Sequence, residues 1–596
     1  MKMMKMVMKM VMLTSTLTTL ALPAATTTVA APTDMSTPLL HLAPTDGDTV
    51  GLLWNAAERR YSVMWDASSG CGWGHASTAD FLRYTQHGCT GPDRQHGTMS
   101  GSVAFGGDGR PRMTYSMGEQ IWLATAPNAS MAWFTQDSAS TPALNLSAAA
   151  AHGIAVLDIR DPYMWSGADG RLNMLTGGGA RARGGPGGGR GGTGVGPAAC
   201  ERGSCYPEAL LWESDDAPRY THWTFKGQVW SAPADAARYS QITSCVDWFT
   251  LAAGGGGGGA EKQVFMFSDF VLHRVRWLVG TVVADPGADT VHLEVEREGV
   301  ADWGRLYASQ SMTDATGTRR LMMGNIGHPH FMAGHDMLPI PIVVVGPNSS
   351  LPHRQVQMVS LPREVSLDAR TGGLVFRPAR ELAAARRRPF SVSAQSVRSD
   401  AAGIPMGPAV GSVREVRFTL REWVSAAPGA TCGIRLDAGG ICTLVVGFTA
   451  GSVVVQSSCG AVGTPGKYAA LESCPRNADD AQTGSPLAGY CYNITVPTST
   501  TPTSSMASRS TPPSASATAS AGLEQRDGRA PTATTNATLT AIVDRSAVEV
   551  FVPGFGVVIS SGVFVSAGTD AATLELYCDR GGAAVVDATT WLLAVF

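Results

Sequence analysis

The sequence predicts an all-β fold spread over at least two domains, on three observations. Short runs rich in Val, Thr, Phe and Trp recur along the chain, among them YSVMWD, RMTYSM, HWTFKGQVW, QVFMFS and VHLEVE. Runs of that length and composition suit strands. The 69 Gly and 35 Pro lie largely between such runs, where turns need a positive or a fixed φ. Finally, 596 residues exceed what one core organises, at about 100 to 200 residues per domain.

The first element is residues 1–31. Lys2, Lys5 and Lys9 precede an apolar stretch from Val11 to Leu22 and small residues from Ala24 to Ala31, the layout of a cleaved secretory signal. A transit peptide would be Arg-rich, and this segment has no Arg. No later stretch reaches the roughly 18 apolar residues of a membrane span. The mature chain is therefore expected to be soluble and secreted, with the cell wall or vacuole as alternative destinations, and without a membrane partner. Sequons at Asn128, Asn145, Asn348, Asn493 and Asn536 agree with that route. The 11 cysteines are an odd number, which in an oxidising compartment leaves at least one thiol unpaired. Cys71, Cys89, Cys200 and Cys205 fall in the first half. Cys432, Cys442, Cys459, Cys474, Cys491 and Cys578 fall in the second, and Cys245 stands alone.

Charged residues are only 16%, the net charge is -3 and the pI is near 6.5. Such a surface argues against a nucleic-acid partner. The 14 Trp suit both core filling, their commoner use, and stacking on flat apolar sugar faces. No ligand cluster with metal spacing appears, so no metal and no cofactor are expected.

From about His41 to Arg363 the closely spaced short strands predict a propeller or a sandwich. Gly-rich insertions at 177–197 and 254–259 are expected to be flexible loops. ARELAAARRR, residues 379–388, is expected to be a short helical or linker segment. A second β-rich region follows from Phe390, interrupted by a Ser/Thr/Pro tract at 495–522 that is expected to be disordered and O-glycosylated. The organisation expected is a domain over 38–370, a linker over 371–389, and a domain over 390–596 with a disordered insertion at 495–535.

Several blocks carry a specific resemblance. WGHASTADFLRYT begins at Trp73, SGSVAF at Ser100 and IRDPYMW at Ile159; DWGRLYASQSMTDATGTRRLMMG spans 302–324, SLPREV spans 360–365 and VDRSAVEVFV spans 543–552. In this order, over about His41 to Cys578, they resemble glycoside hydrolase family 32, the invertases and fructan hydrolases. The resemblance implies a five-bladed β-propeller followed by a C-terminal β-sandwich. It implies β-fructofuranosidase activity on terminal β-fructosides such as sucrose and fructans, by a retaining mechanism, with carbohydrate as the partner.

Retaining hydrolysis needs one carboxylate to attack the anomeric carbon and a second carboxyl, about 5 to 5.5 Å away, to protonate the leaving oxygen. A third carboxylate can bind sugar hydroxyls as charge develops on the ring. HLAPTDGDTVGL is similar to the family's H-L-x-P…N-D-P-N-G-L, which makes Asp48 the nucleophile, with Asp46 the alternative if the register slips. Gly47 stands where the family has Asn. The R-D-P triplet makes Asp161 the transition-state stabiliser and Arg160 its neighbour in the pocket. TSCVDWFTL resembles W-E-C-P-D-F-F-x-L and puts Ser244 where the acid/base Glu belongs. A Ser hydroxyl is far too weak an acid for that task. Asp247 is no obvious substitute, since three positions along a strand reach the opposite face. Asp66 matches a sugar-binding Gln and Asn325 a Trp, while Trp73 and Ser100 match retained substrate-binding positions. Two functions follow from these residues: a β-fructofuranosidase, favoured by Asp48 and Asp161, and a catalytically impaired carbohydrate-binding relative, favoured by Ser244.

Overall fold

Strands make up nearly all the regular structure of this computed structural model. It describes residues 38–45, 47–67, 72–92, 98–138, 140–181, 200, 205–232, 239, 242–252, 261–269, 274–326, 357–407, 413–425, 430–438, 442–449, 452–459, 491–497, 536–545, 547–562 and 572–594. All fall within one unit, Met35–Phe596. The signal-like segment, Asp46, Cys71, Asn348, the six-glycine run and most of the Ser/Thr/Pro tract lie outside the described residues.

Among the described residues, five antiparallel sheets of four to six strands precede two of six strands. The first four grow strand by strand in sequence order, as short hairpin connections dictate. The leading strands of the five are β1 (Thr49–Asn55), β2 (Gly101–Phe105), β3 (Val156–Ser166), β4 (Thr243–Ala252) and β5 (Leu306–Thr313), and each pairs with only one other strand. β1 packs on β2, β2 on β3, β3 on β4, β4 on β5, and β5 returns to β1. These strands close a ring with the other strands of each sheet outside it, the arrangement of a β-propeller. The start of the chain completes the last sheet: Leu42–Thr45 pairs with Gln357–Val359, which pairs with Arg320–Ile326. Between neighbouring sheets apolar side chains are fully enclosed, for example Met64, Trp73, Met113 and Tyr115 in one cluster and Leu175, Val246 and Phe265 in another. Each such side chain contributes about 1.5–3 kcal/mol relative to exposure.

The last two sheets have six strands each and form the β-sandwich. Val416, Phe418, Leu539 and Val550 of one face Ile434, Phe448, Val455 and Leu576 of the other in a single core. Cys432 and Cys578, opposite each other on adjacent strands, form a disulfide, as do Cys200 and Cys205; Cys89 is also disulfide-bonded and Cys245 is free. Among the sequons, Asn128 and Asn536 are exposed and Asn145 caps the short helix Leu146–Ala150.

Two expectations are corrected. The Gly-rich insertion does not begin as a loop, because Gly177, Gly178 and Gly179 pair with both Arg160, Ile159 and Asp158 and with Ala209, Glu208 and Pro207 inside the third sheet. A Cβ on Gly178 would overlap the Asp158 carbonyl oxygen, and one on Gly177 would lie 2.7 Å from the Thr243 carbonyl oxygen. Close strand approach, not flexibility, is what these glycines supply. Residues 371–389 are not a bare linker either. Leu374–Pro378 is a strand of the fifth sheet, Arg380–Ala385 a 3-10 turn, and the first sandwich strand, Arg386–Arg398, begins within the range.

A buried ionic network joins propeller to sandwich. Arg363 pairs with Asp302 at 2.8 Å and with Glu549 at 2.7 Å, and all three side chains are inaccessible to solvent. Glu549 also accepts from His41 Nε2 at 3.0 Å and from the Leu361 amide at 2.7 Å. Asp544 accepts from His41 Nδ1 and from the amides of Leu39, Leu40 and His41. The segment leading to Asp48 is thus anchored by carboxylates of the sandwich.

Candidate active site

Four of the five ring strands carry a register shift with a residue in the left-handed region: Gly51 (φ 58°) in β1, Asp161 (φ 47°) in β3, Cys245 (φ 45°) in β4 and Ala308 (φ 46°) in β5. A β-bulge leaves a residue outside the ladder, bends the strand and re-aims its side chain. Glycine takes that conformation freely. Asp161 and Cys245 take it at a cost of about 1–3 kcal/mol each, a strain typical of functional sites. Their side chains are thereby turned toward Asp48.

Asp48 sits at the entry to β1 and is held from three directions. Its amide donates to Asp66 Oδ1, and its carbonyl accepts the Asp66 amide at 3.0 Å. Asn325 Nδ2 donates to the carbonyl of Gly47. Ser100 Oγ lies 3.0 Å from Asp48 Oδ2 and 2.7 Å from Asp66 Oδ2. Gly47 fits because it has no side chain: a Cβ there would overlap the carbonyl oxygen of Asp66. At this approach of the two strands only a glycine fits beside Asp48.

Asp161 approaches from the other side. Its amide donates to Ser116 Oγ at 2.7 Å. Its Oδ2 accepts the Ser244 hydroxyl at 2.5 Å and the Cys245 amide at 2.9 Å. The Cys245 thiol is 3.6 Å from Asp48 Oδ2 and 3.8 Å from Asp161 Oδ2, so the sum of those distances, 7.4 Å, bounds the separation of the two oxygens. Burial, and then the charges of Asp48, Asp161 and Asp66, push the Cys245 thiol well above its ordinary range. It stays a neutral S–H donor. Burial also raises Tyr307, whose hydroxyl interacts with Ser244. Arg160 pairs with Asp158 at 2.7 Å beneath the site. One layer out on the Cys205–Ser214 strand, burial raises Glu208 to about 8, against the hydrogen bond from Gln228 and aided by Asp158.

Asp48, Asp66, Ser100, Asp161 and Ser244 therefore converge, and Arg160 lies against them. Two predicted substrate contacts are enclosed behind the site. Trp73 is fully enclosed and donates its indole N–H to the Met99 carbonyl at 3.1 Å, so it supports the backbone before Ser100 and offers no face to a sugar. Asn325 is also fully buried and serves the Gly47 loop. Asp247, three positions on from Ser244 across the bulge, is fully buried and bonded to Arg320 and Ser311. Sequence reasoning missed Ser116, Asp158, Tyr307 and Glu208. Tyr307 lies in a resembling block and Ser116 in the strand-like run RMTYSM, while Asp158 and Glu208 carry no local signal.

Comparison with known proteins gives the following. Residues 199–378 match the model described as "Glycosyl hydrolases family 32 N-terminal domain", and residues 492–592 match "Glycosyl hydrolases family 32 C terminal". Ser244 falls inside the first match, whereas Asp48 and Asp161 precede it. No curated protein matches in sequence. Among solved structures, fructan 1-exohydrolase IIa from Cichorium intybus in complex with 1-kestose is similar with a TM-score of 0.62 at 14% identity, over 93% of this chain and 97% of that one. A β-fructofuranosidase from Aspergillus kawachii gives 0.62 at 16% identity, over 95% and 99% of the two chains. A β-fructofuranosidase mutant from Bombyx mori in complex with sucrose gives 0.58 at 13%, over 94% of each. At such identities these likenesses establish the shared fold of propeller and sandwich.

Proposed function

The chain belongs to glycoside hydrolase family 32, whose members are fructosidase-type glycosidases, and we propose that it hydrolyses terminal β-fructosides, sucrose and fructans among them, through a covalent fructosyl-enzyme on Asp48. The observation that carries this reading is the convergence of Asp48 and Asp161 on one thiol, at 3.6 and 3.8 Å. A nucleophile and a stabilising carboxylate must both reach one fructosyl ring, and this separation allows it. Asp48 attacks the anomeric carbon. Asp161, whose carboxylate accepts from the Ser244 hydroxyl and the Cys245 amide while its own amide donates to Ser116 Oγ, binds the fructosyl hydroxyls and stabilises the charge that develops on the ring. Ser244 positions Asp161 and donates no proton to the leaving group.

In this reading each of the five sheets is one blade, the catalytic-type domain ends near 370–378 and the sandwich follows. Secretion is proposed with it, supported by the disulfides, which persist in oxidising compartments, and by the signal-like segment 1–31.

A second reading, a carbohydrate-binding relative with impaired catalysis, is favoured by Ser244 alone. Incubating the purified protein with sucrose and with 1-kestose separates the two. Release of fructose by the wild type and its loss in D48N support hydrolysis. Sugar binding without fructose release supports the binding protein.

A further inference from the structure

We propose that Asp66 is the general acid of this site, holding a proton that it shares with Asp48 through Ser100. The inference rests on the fructoside-hydrolase reading above and supplies the one function that reading leaves without a residue.

Ser100 Oγ is within hydrogen-bond distance of two carboxyl oxygens, Asp48 Oδ2 at 3.0 Å and Asp66 Oδ2 at 2.7 Å. A hydroxyl has one hydrogen to give and otherwise accepts. Both contacts are satisfied when one carboxyl is protonated and donates to Ser100 while Ser100 donates to the other. Two carboxylates this close do not both ionise readily, which is the situation of a shared-proton dyad.

The surroundings decide which carboxyl holds the proton. Asp48 Oδ2 also faces the Cys245 S–H at 3.6 Å, a donor that favours the carboxylate there. Asp66 Oδ1 accepts the Asp48 amide, a bond compatible with the carbonyl oxygen of a neutral acid. Asp48 must be ionised to attack the anomeric carbon, and the shared proton is therefore assigned to Asp66 Oδ2. The two contacts through one oxygen hold the Oδ2 atoms within 5.7 Å, the sum of 3.0 and 2.7 Å. Retaining glycosidases place nucleophile and acid about 5 to 5.5 Å apart, and this limit accommodates that spacing. Asp48 and Asp66 are also both partly exposed, whereas Asp247 and Glu208 are buried at 0% and 1%. Asp247 is further engaged by Arg320, and Glu208 by Gln228.

The step balances. Asp48 forms a bond to the anomeric carbon as the glycosidic C–O bond breaks, and the electron pair stays on the leaving oxygen, which takes the proton from Asp66. Water then attacks the same carbon, giving its proton to the Asp66 carboxylate. The ester bond to Asp48 breaks, and both groups return to their starting states.

D66N tests this with two substrates, sucrose and an activated β-fructofuranoside with a p-nitrophenol leaving group. Loss of a general acid lowers kcat/KM for sucrose by about 10²- to 10⁴-fold but changes kcat/KM for the activated substrate little, because that ratio reports only formation of the fructosyl-enzyme and not the later, base-assisted attack of water, and the alkaline limb of the sucrose pH profile disappears. D66N/S244E then recovers sucrose hydrolysis. An equal fall on both substrates, or none on sucrose, overturns the proposal. The wild-type minus D66N infrared difference spectrum at neutral pH reads the proton without turnover and is expected to contain a protonated-carboxyl band. Absence of the band overturns the shared proton whatever the activity. A band in a wild type that cleaves neither substrate overturns proton delivery by Asp66 and identifies the fructoside-hydrolase reading as the part that failed.

Discussion

Ser244 donates its hydroxyl to Asp161 Oδ2 at 2.5 Å, from the position where a glutamic acid would be expected to protonate the leaving group. The serine does a different task there. Together with the Cys245 amide it fixes a carboxylate on a strained bulge, and Ser244 and Asp161 are both almost completely buried. A hydrogen bond to a charged group contributes about 1.5–3 kcal/mol.

Ser244→Ala is accordingly expected to lower kcat/KM on the activated fructoside by about 10- to 100-fold, the rate equivalent of that bond. The fold is expected to persist, since the change removes one oxygen from a site that keeps the Cys245 and Ser116 bonds. Steady-state kinetics and a thermal melt check both halves of the expectation.

Asp48→Asn and Asp161→Asn are expected to separate chemistry from binding. Each keeps the shape of the site and removes a charge, so fructoside turnover falls by several orders of magnitude while sugar binding, read by calorimetry, changes less. Asp247→Asn instead removes the partner of Arg320. It is expected to lower the melting temperature, since breaking a buried ion pair costs about 3–5 kcal/mol.

Gly47→Ala is expected to impair activity more than its size suggests. The new methyl would overlap the Asp66 carbonyl oxygen, so the loop carrying Asp48 must shift, at about 1–3 kcal/mol for an overpacked site. Kinetics on the activated substrate, beside an unchanged circular dichroism spectrum, measure it.

The anchor between the domains is expected to make stability fall at both ends of the pH range. Burial alone would lower the His41 pKa, but the bonds and charges of Asp544 and Glu549 raise it from 6.5 to about 9. A raised histidine pKa stabilises the fold fully below about pH 6.5 and is lost as pH rises through 9, on the order of 3 kcal/mol. Glu549 is opposed by burial yet lowered from 4.5 to about 2, chiefly by Arg363 and His41, and Asp544 is lowered by His41. Their contribution is present above the ordinary carboxylate range and lost as pH falls toward 2. These shifts describe one network and are not additive. Melting temperature against pH is expected to show a plateau between the two declines, and His41→Gln to lower the plateau and flatten the alkaline side.

Much of this was legible in the sequence, because strands announce themselves locally and the R-D-P triplet and S-G-S box are contiguous words. Asp161, Ser100 and Ser244, which the structure brings together, were readable as candidates for that reason. What stayed hidden depends on the third dimension. Trp73 matches a pocket position, yet its burial under Met99 follows from sheet packing. The role of Asp66 depends on Ser100, 34 residues away, and the anchor of His41 lies 503 and 508 residues away in Asp544 and Glu549. Gly177–Gly179 looked like a loop because glycine carries no periodicity, although the ladder requires it there.

The most direct test of the central claim is the mass of the protein quenched in acid during turnover of the activated β-fructofuranoside. The account predicts a population heavier by one fructosyl unit, with the added mass on the peptide containing Asp48 and absent in D48N. Turnover of the same substrate with no adduct in the wild type, or with the adduct on another residue, would contradict it.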